Sequence, residues 1–358
     1  MAVTGRKGVT LGALPATTRV AEYRSGGDIV VREVALPAPR EGEISVRIEA
    51  CGICASETLR WYMDAKAPIV LGHEPVGRVV AVGEHAAFAL GERVFIHHHA
   101  PCQECARCRR GDYVQCDSWR ASRLSPGGLS QYATVPALNV QYDVLRLPDE
   151  LRDERGTLIE PLATVVKSVR RSGLRPGDRV LVVGLGAMGL LHALVVRHAG
   201  AALLFGADRS GFRLEAAARF GVDHAIDIDA GGSLAEQLLQ RTSGEGAEIV
   251  FVTPGSRAAL ESALPCVARG GTLVVFTPIP PDQRWPLDVA DAFFKDVNIV
   301  TSYSAGPDDT RAALALLAGG LAVDGLFTHR FDLEHAAQAY AALKDTESAL
   351  KIVVYPNA

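Results

Sequence analysis

The hydrophobic positions of the chain fall into two rhythms. Between Val20 and about Val140 the apolar stretches are short, alternate with polar residues and are interrupted by Gly and Pro: DIVVREV, EISVRIEA, GRVVAVG, ERVFI and LSQYATV. Alternation with a period of two buries one face of a strand, so this region predicts a twisted antiparallel β domain. From about Leu158 to Ser304 the rhythm becomes strand, helix, strand. The strands are RVLVVG, ALLFGAD, HAIDID, EIVFVT, TLVVFT and NIVTSY; helical segments between them include LLHALVVRHAG, FRLEAAARFG and AALESALPCVARGG. Strands that alternate with helices in this way predict a parallel, doubly wound sheet, because parallel neighbours need a crossover connection. The tail from Asp308 carries two helices (TRAALALLAGG and LEHAAQAYAAL) and a strand (KIVVYP), expected to return to the β domain. The expected organisation is therefore α/β: a loose extension over 1–18, a β domain over 19–162 completed by 306–358, and a parallel domain over 163–305.

Composition narrows the function classes. The 358 residues suit two domains, and 48% hydrophobic with 22% charged residues is an ordinary globular balance. The net charge of −4, with no long basic run, argues against nucleic acid and membrane surfaces as partners. Arg6 and Lys7 are not followed by the apolar run of a signal peptide, and no stretch has the length of a spanning helix. The expectation is a cytoplasmic protein, where disulfides are disfavoured.

The strand RVLVVG runs into Gly184-Leu-Gly186-Ala-Met188-Gly189 and then into an apolar helix. A glycine-rich turn is weak evidence alone, but between a strand and a helix it reads as a dinucleotide fingerprint. Gly184 permits the turn, Gly186 lets the backbone approach a pyrophosphate and Gly189 lets helix and strand pack closely. Asp208 ends the next strand, 19 residues after Gly189. A carboxylate there accepts from ribose hydroxyls and repels a 2′-phosphate, which favours NAD over NADP; neighbouring Arg209 pulls the other way, and a helix-capping Asp is the structural alternative.

Two groups of residues suggest metal. Cys102, Cys105, Cys108 and Cys116 give C-x2-C-x2-C-x7-C in a polar loop, the pattern of a closed structural zinc site rather than of a ferredoxin cluster or a disulfide pair. Cys54, His73, Glu74 and Glu160 are dispersed, yet together they supply a thiolate, an imidazole and two carboxylates, the mixture that holds a catalytic zinc with an open position. His73 and Glu74 are adjacent, so strand alternation would send them to opposite faces; which glutamate completes the shell is left open. Cys51 and Cys266 read as packing residues. His97, His98 and His99 lie at a strand end and read as a polar lip of the cleft rather than a third metal site.

These residues, in GIC-x-S-E, GHEPVGRVVAVG, the four-cysteine loop, IEPLATVVKSV, GLGAMG and THRFDLEHAAQAY, resemble the zinc-containing medium-chain dehydrogenase superfamily over nearly all the chain after the extension. Glu160, in EPL, resembles the polyol (sorbitol) and threonine dehydrogenase branch; alcohol dehydrogenases proper place a cysteine there. The resemblance implies a GroES-like β domain carrying two zinc ions, one catalytic and one structural, a Rossmann domain carrying the coenzyme, a cleft between them, and a homodimer or homotetramer. It further implies that Arg213 faces the adenosine, and that Phe276 to Pro278, with Thr277, and Ser302 to Ser304, with Tyr303, line the nicotinamide end. Ser56 would relay the alcohol proton and Glu57 would support the ligands from behind. The chain departs from the pattern at Leu59, where a relay histidine is common, and at Ser304, where polyol dehydrogenases often carry arginine. Arg60, beside Trp61 and Tyr62, occupies a pocket-lining position and would either grip a phosphate or carboxylate or point to solvent.

The expected activity is zinc-dependent, NAD(P)-linked oxidation of a secondary alcohol of a polyol, cyclitol, sugar phosphate or hydroxy amino acid to a ketone. The competing readings are a zinc-free NADPH enone or quinone reductase of the same fold and a non-catalytic dinucleotide-binding protein.

Overall fold

The computed structural model describes residues 9–10 and 14–358. Its first sheet has eight strands. Six run in the order Phe327–Asp332, Lys351–Tyr355, Ile44–Gly52, Glu74–Val82, Arg93–Ile96, Val144–Arg146; Val9–Thr10 pairs with Glu74–Val82, and Tyr132–Val135 with Ile44–Gly52. All pairings are antiparallel except that of the two C-terminal strands. A smaller antiparallel sheet joins Asp28–Ala35, Thr17–Arg24 and Ile69–Val70. Ile44, Val46, Ile48, Val79, Val94, Ile96, Ile352 and Val354 fill the core beneath, from strands far apart in sequence. The tail thus returns to this sheet: Val353 and Val354 lie opposite Gly52 and Cys51.

The loose extension expected up to residue 18 is corrected at two places. Val9–Thr10 is paired with Val82 and Ala81, and Thr17 and Thr18 already belong to a strand, where the Tyr132 amide donates to the Thr18 hydroxyl at 2.9 Å. The rest of that expectation, residues 1–8 and 11–13, lies outside the described residues.

The second sheet is wholly parallel, in the order His224–Asp227, Leu203–Asp208, Arg179–Val183, Ala247–Val252, Val267–Val275, Asn298–Thr301. By position along the chain this is 3-2-1-4-5-6, the doubly wound dinucleotide-binding order, whose switch point lies beside the first strand. The helix after that strand, Ala187–His198, is apolar on nearly all sides because both the sheet and the helix Ile159–Ser172 cover it. His192 is wholly buried there, and burial lowers its pKa to about 4. Its ring bridges Met188 O (2.7 Å) and Ser168 Oγ (3.1 Å), tying the two helices together.

The helix read through AALESALPCVARGG is shorter than expected. It spans Arg257–Ala263 and gives way at Pro265 to a 3-10 turn and then the strand Val267–Val275. Proline lacks the donor that a continuing helix needs. Cys266 and Cys51 are fully buried, as packing residues should be. Among the described residues no helix is long and apolar enough to cross a membrane.

Polar contacts connect the two sheets' surroundings. The Thr310 hydroxyl donates to Asp143 Oδ1 at 2.5 Å, Tyr113 Oη to Asp308 Oδ2 at 3.0 Å, and Lys167 Nζ to the Tyr303 carbonyl at 2.7 Å. They align the loop after Asn298–Thr301 with the metal-type residues of the first sheet.

Candidate active site and cysteine lobe

The cysteine loop folds into two short helical turns, Ala106–Arg109 and Tyr113–Gln115, and the helix Asp117–Ala121. Its four thiols offer sulfurs that all lie within 4.8 Å of one another. Cys105–Cys108, Cys102–Cys116 and Cys102–Cys108 are separated by 3.5, 3.6 and 4.0 Å. A tetrahedron of zinc–sulfur bonds near ~2.3 Å has edges near ~3.8 Å, so the thiols are spaced for one ion. Backbone amides of Cys108 and Cys102 donate to the sulfurs of Cys105 and Cys116. The Cys108 amide holds the Cys105 thiol below its usual range, favouring the thiolate that a metal needs. No cysteine is in a disulfide.

The dispersed set forms where Ile44–Gly52 and Glu74–Val82 end together. Cys54 immediately follows Ile53 and precedes the 3-10 turn Ala55–Thr58; its sulfur is 3.2 Å from Ser56 Oγ. His73 sits in a bend after Gly72, which has φ +87°, so the alternation that would separate it from Glu74 does not operate. Cys54, His73 and Glu74 each offer a ligand atom within 4.8 Å of the other two. Glu160 is grouped elsewhere: helix Ile159–Ser172 presents it, buried, to His97 and His98 within the same limit.

Buried carboxylates hold this site from behind. Glu57 Oε1 accepts the Gly72 amide (2.8 Å) and stands 3.1 Å from His73 Nδ1, while its other oxygen accepts from Tyr340 Oη. That pairing fixes the imidazole so that Nε2 is the nitrogen available to an ion. Burial opposes charge on His73, but Glu57 and the Cys54 sulfur outweigh it and hold its pKa well above the usual value. Glu74 is fully buried, with Oε2 paired to the ammonium of Lys351 and Oε1 without any partner. Burial drives the Glu74 pKa up against the pull of Lys351 and His73. A Cβ at residue 52 would lie 2.0 Å from Glu74 Oε2, so the site requires Gly52. Lys351 was missed in the sequence, although a lone lysine opening the apolar strand KIVVY is a visible anomaly.

A bare buried oxygen, a thiol and an imidazole with its far nitrogen tied down are a donor set that fits a zinc ion. From it a line of rings crosses to the parallel domain: His73–His98 (centroids 5.0 Å apart), His98–His99 (4.1 Å), His99–Trp119 (4.1 Å) and Trp119–Tyr303 (6.0 Å). Tyr303 follows Asn298–Thr301 at the carboxyl edge of the parallel sheet, where open α/β sheets bind ligands.

At the glycine turn Gly184 has φ +86°, and a Cβ on Gly189 would meet Gly184 O at 1.8 Å, the close strand–helix approach expected there. Asp208 accepts from the amides of Leu185 (2.7 Å), Arg209 (2.8 Å) and Ser210 (3.0 Å). Arg213 NH1 lies 3.8 Å from Asp208 Oδ2, the guanidinium also lies beside Gly186, and its Nε is buried without a partner. Thr277 packs at Gly255, and Met188 is half-buried in the turn.

Arg60 is not drawn into the metal group: its side chain is 67% exposed and turned to Asp64 at 3.7 Å, and neighbouring Trp61 is exposed against Tyr62. The polar lip expected of His97–His99 is corrected. His97 and His99 are buried, because the strand Arg93–Ile96 runs inward and leads the run under the cysteine lobe rather than to the rim.

Residues 40–149 match the alcohol dehydrogenase GroES-like domain and residues 184–319 the zinc-binding dehydrogenase domain. A sorbitol dehydrogenase of Bacillus subtilis (strain 168) is 29% identical, covering 96% of this chain and 99% of its own length. An alcohol dehydrogenase structure from Thermus sp. ATN1 is 30% identical over 94% of this chain and 99% of its own, with a TM-score of 0.84. An alcohol dehydrogenase from E. coli CFT073, solved with NADH, is 26% identical over 95% of this chain and 100% of its own, with a TM-score of 0.85. With its GroES-like β domain, its Rossmann sheet and these relatives, the chain belongs to the zinc-containing medium-chain dehydrogenases, in the polyol and threonine dehydrogenase branch, and is an oxidoreductase of CH–OH groups.

Proposed function

We propose that the chain oxidises a secondary alcohol of a polyol, or of a cyclitol, sugar phosphate or hydroxy amino acid, to the ketone, with NAD preferred over NADP. The observation that carries this reading is the bare Oε1 of Glu74 in one group with Cys54 and His73, joined by a line of rings to the carboxyl edge of the parallel sheet. Cys54, His73 and Glu74 would hold the catalytic ion, and Cys102, Cys105, Cys108 and Cys116 the structural one. Bound zinc supplies a Lewis acid that lowers the pKa of an alcohol oxygen, and the nicotinamide supplies the hydride acceptor.

The chain's own residues do the rest. Glu57 fixes the His73 ring, and Lys351 orients Glu74 and opposes the effect of burial on its charge. Ser56 Oγ, 3.2 Å from the Cys54 sulfur, is placed to receive the alcohol proton and pass it outward. With Leu59 in place of a relay histidine, that proton leaves through water. Gly184, Gly186 and Gly189 open the backbone to the pyrophosphate, and the carboxylate of Asp208 favours a free ribose hydroxyl over a 2′-phosphate. Arg213, whose guanidinium lies beside Gly186, would face the adenosine end, and Thr277 and Tyr303 the nicotinamide end.

A zinc-free reductase of this fold would leave the buried Oε1 of Glu74 unsatisfied, which disfavours that alternative. A homodimer or homotetramer in the cytoplasm belongs to the same reading. The edge strand Asn298–Thr301 lies beside exposed Val289, Phe293 and Phe294, apolar surface that suits burial against another copy, and light scattering reads the copy number.

The test is Cys54→Ser with a spectrophotometric screen of polyols, cyclitols, sugar phosphates and hydroxy amino acids against both coenzymes. Turnover should fall at least about a hundredfold while coenzyme affinity stays unchanged. Activity that survives the substitution overturns the assignment.

A further inference from the structure

The mouth of the cleft above His73 carries positive charge that the proposed reaction does not use. Lys66 follows the short helix Arg60–Met63 and Arg123 follows the helix Asp117–Ala121; both are reached by solvent, and among the described residues neither has a carboxylate partner. Arg123 is fixed through one nitrogen: NH1 donates to the carbonyls of Arg120 and Ser122, both at 2.7 Å, and stands 3.0 Å from Nδ1 of His99. Its Nε and NH2 have no partner among the described residues. Lys66 Nζ lies 3.5 Å from the centroid of the Tyr62 ring. The surrounding protein, and then Arg123, lower its pKa to about 8; the acid that acts on it is Glu57, already engaged by Gly72, His73 and Tyr340. Tyr62 stands between these cations and the metal group. Burial raises its phenol, and His73, Cys54 and Arg123 all act on it. Burial raises the Tyr303 phenol too, with Tyr62 and Arg123 both acting there, so the cations face the side of the cleft that the parallel domain supplies.

Two neighbouring cations without a counter-charge repel each other, and an anion held between them removes that repulsion. We propose that Lys66 and Arg123 bind an anionic group at the far end of the alcohol substrate, a phosphate monoester or a carboxylate, while the carbon to be oxidised lies at Cys54, His73 and Glu74. This rests on the oxidation proposed above and narrows its substrates to the charged ones. The open edge of the Arg123 guanidinium, Nε and NH2, is the two-pronged donor that meets two oxygens of such a group in parallel, and Lys66 adds a point charge. Two positive charges match a phosphate dianion better than a carboxylate. The line of rings from His73 through His98 to His99 ends under Arg123, which sets the anion apart from the reacting carbon. With a net charge of −4 the chain as a whole does not attract anions, so the positive excess belongs to this cleft. Arg60, the residue from which the sequence led us to expect such a grip, is turned to Asp64 instead.

Kinetics of the zinc-loaded enzyme with NAD, comparing sorbitol 6-phosphate, gluconate and sorbitol, test this. The phosphate should exceed sorbitol in kcat/KM by ~100-fold or more, chiefly through KM, with gluconate between them. Arg123→Gln and Lys66→Met should each reduce that preference by ~10-fold or more, and Lys66→Arg should keep it. A merely structural role would lower all three substrates alike and leave their ratios standing. Equal kcat/KM for the three, or a preference untouched by both variants, overturns the anion site without touching alcohol oxidation. Calorimetry reads the site apart from turnover: with NAD bound, so that the glycine turn is occupied, inorganic phosphate should bind the native enzyme and be lost from Arg123→Gln and Lys66→Met. Binding that is absent from the native enzyme, or equal in both variants, overturns the proposal. Oxidation that survives Cys54→Ser would instead sink the proposed reaction and leave the anion site in place.

Discussion

The cysteine lobe and the Cys54–His73–Glu74 site are both built to hold an ion, but they are assembled in opposite ways. The lobe draws its four sulfurs from one loop, and its apolar support is small: Val114, Trp119 and Tyr113 beside the cysteines themselves. Its donors to sulfur are amides of the same loop. The other site draws on residues 54, 73 and 74, a supporting acid at 57, a tyrosine at 340 and a lysine at 351, gathered from strands, turns and a helix far apart in sequence. In the first, the ion would organise the protein; in the second, the protein organises the place for an ion before it arrives. Local assembly gives a closed shell, whereas distributed assembly leaves an acid with one oxygen free for chemistry.

If that contrast is right, Cys108→Ser should have the largest effect on structure. One ion per chain should be lost and the lobe should become sensitive to protease, with a stability cost of at least several kcal/mol, since the small cluster cannot hold the loop unaided. A variant that kept its full metal content and protease resistance would remove the distinction. Lys351→Met tests the preassembled site without touching a ligand. It leaves a buried carboxylate unpaired and should cost ~3–5 kcal/mol in urea unfolding, most of it recovered in the double variant with Glu74→Gln. A cost below ~1 kcal/mol would mean that the pair does not shape the site. The smallest effect is expected of Glu57→Gln: zinc affinity at the Cys54 position should fall ~10–100-fold in chelator competition while the lobe keeps its ion. Equal loss from both sites would show that they are not independent.

The same contrast explains what could be read from the sequence. Cys102, Cys105, Cys108 and Cys116 are legible because ligand geometry in a short loop is nearly a function of spacing. The glycine turn and the six parallel strands are legible because strand, turn and helix follow one another along the chain. Cys54, His73 and Glu74 were legible as residue types, but their grouping depended on a bend at Gly72 that no periodicity announces. The placement of Glu160 beside His97 and His98, rather than beside Cys54, depends on how one helix packs across the cleft. The inward course of His97–His99 was misjudged because a strand end looks the same whether it emerges into solvent or passes under a lobe. Asp143, Thr310 and Tyr340 carried no signal; ordinary residues became important through partners more than a hundred positions away.

The pairing of Lys351 with Glu74 also sets an order of events during biosynthesis. The two residues are separated by 277 positions, which at ~5–20 residues per second puts roughly 15–55 s of translation between them. Throughout that interval the acid has no ammonium beside it and the strand that delivers one has not been made. Until then Gly52 lacks the strand that pairs beside it and Glu74 its buried partner, whereas the cysteine lobe already has all four sulfurs within one loop.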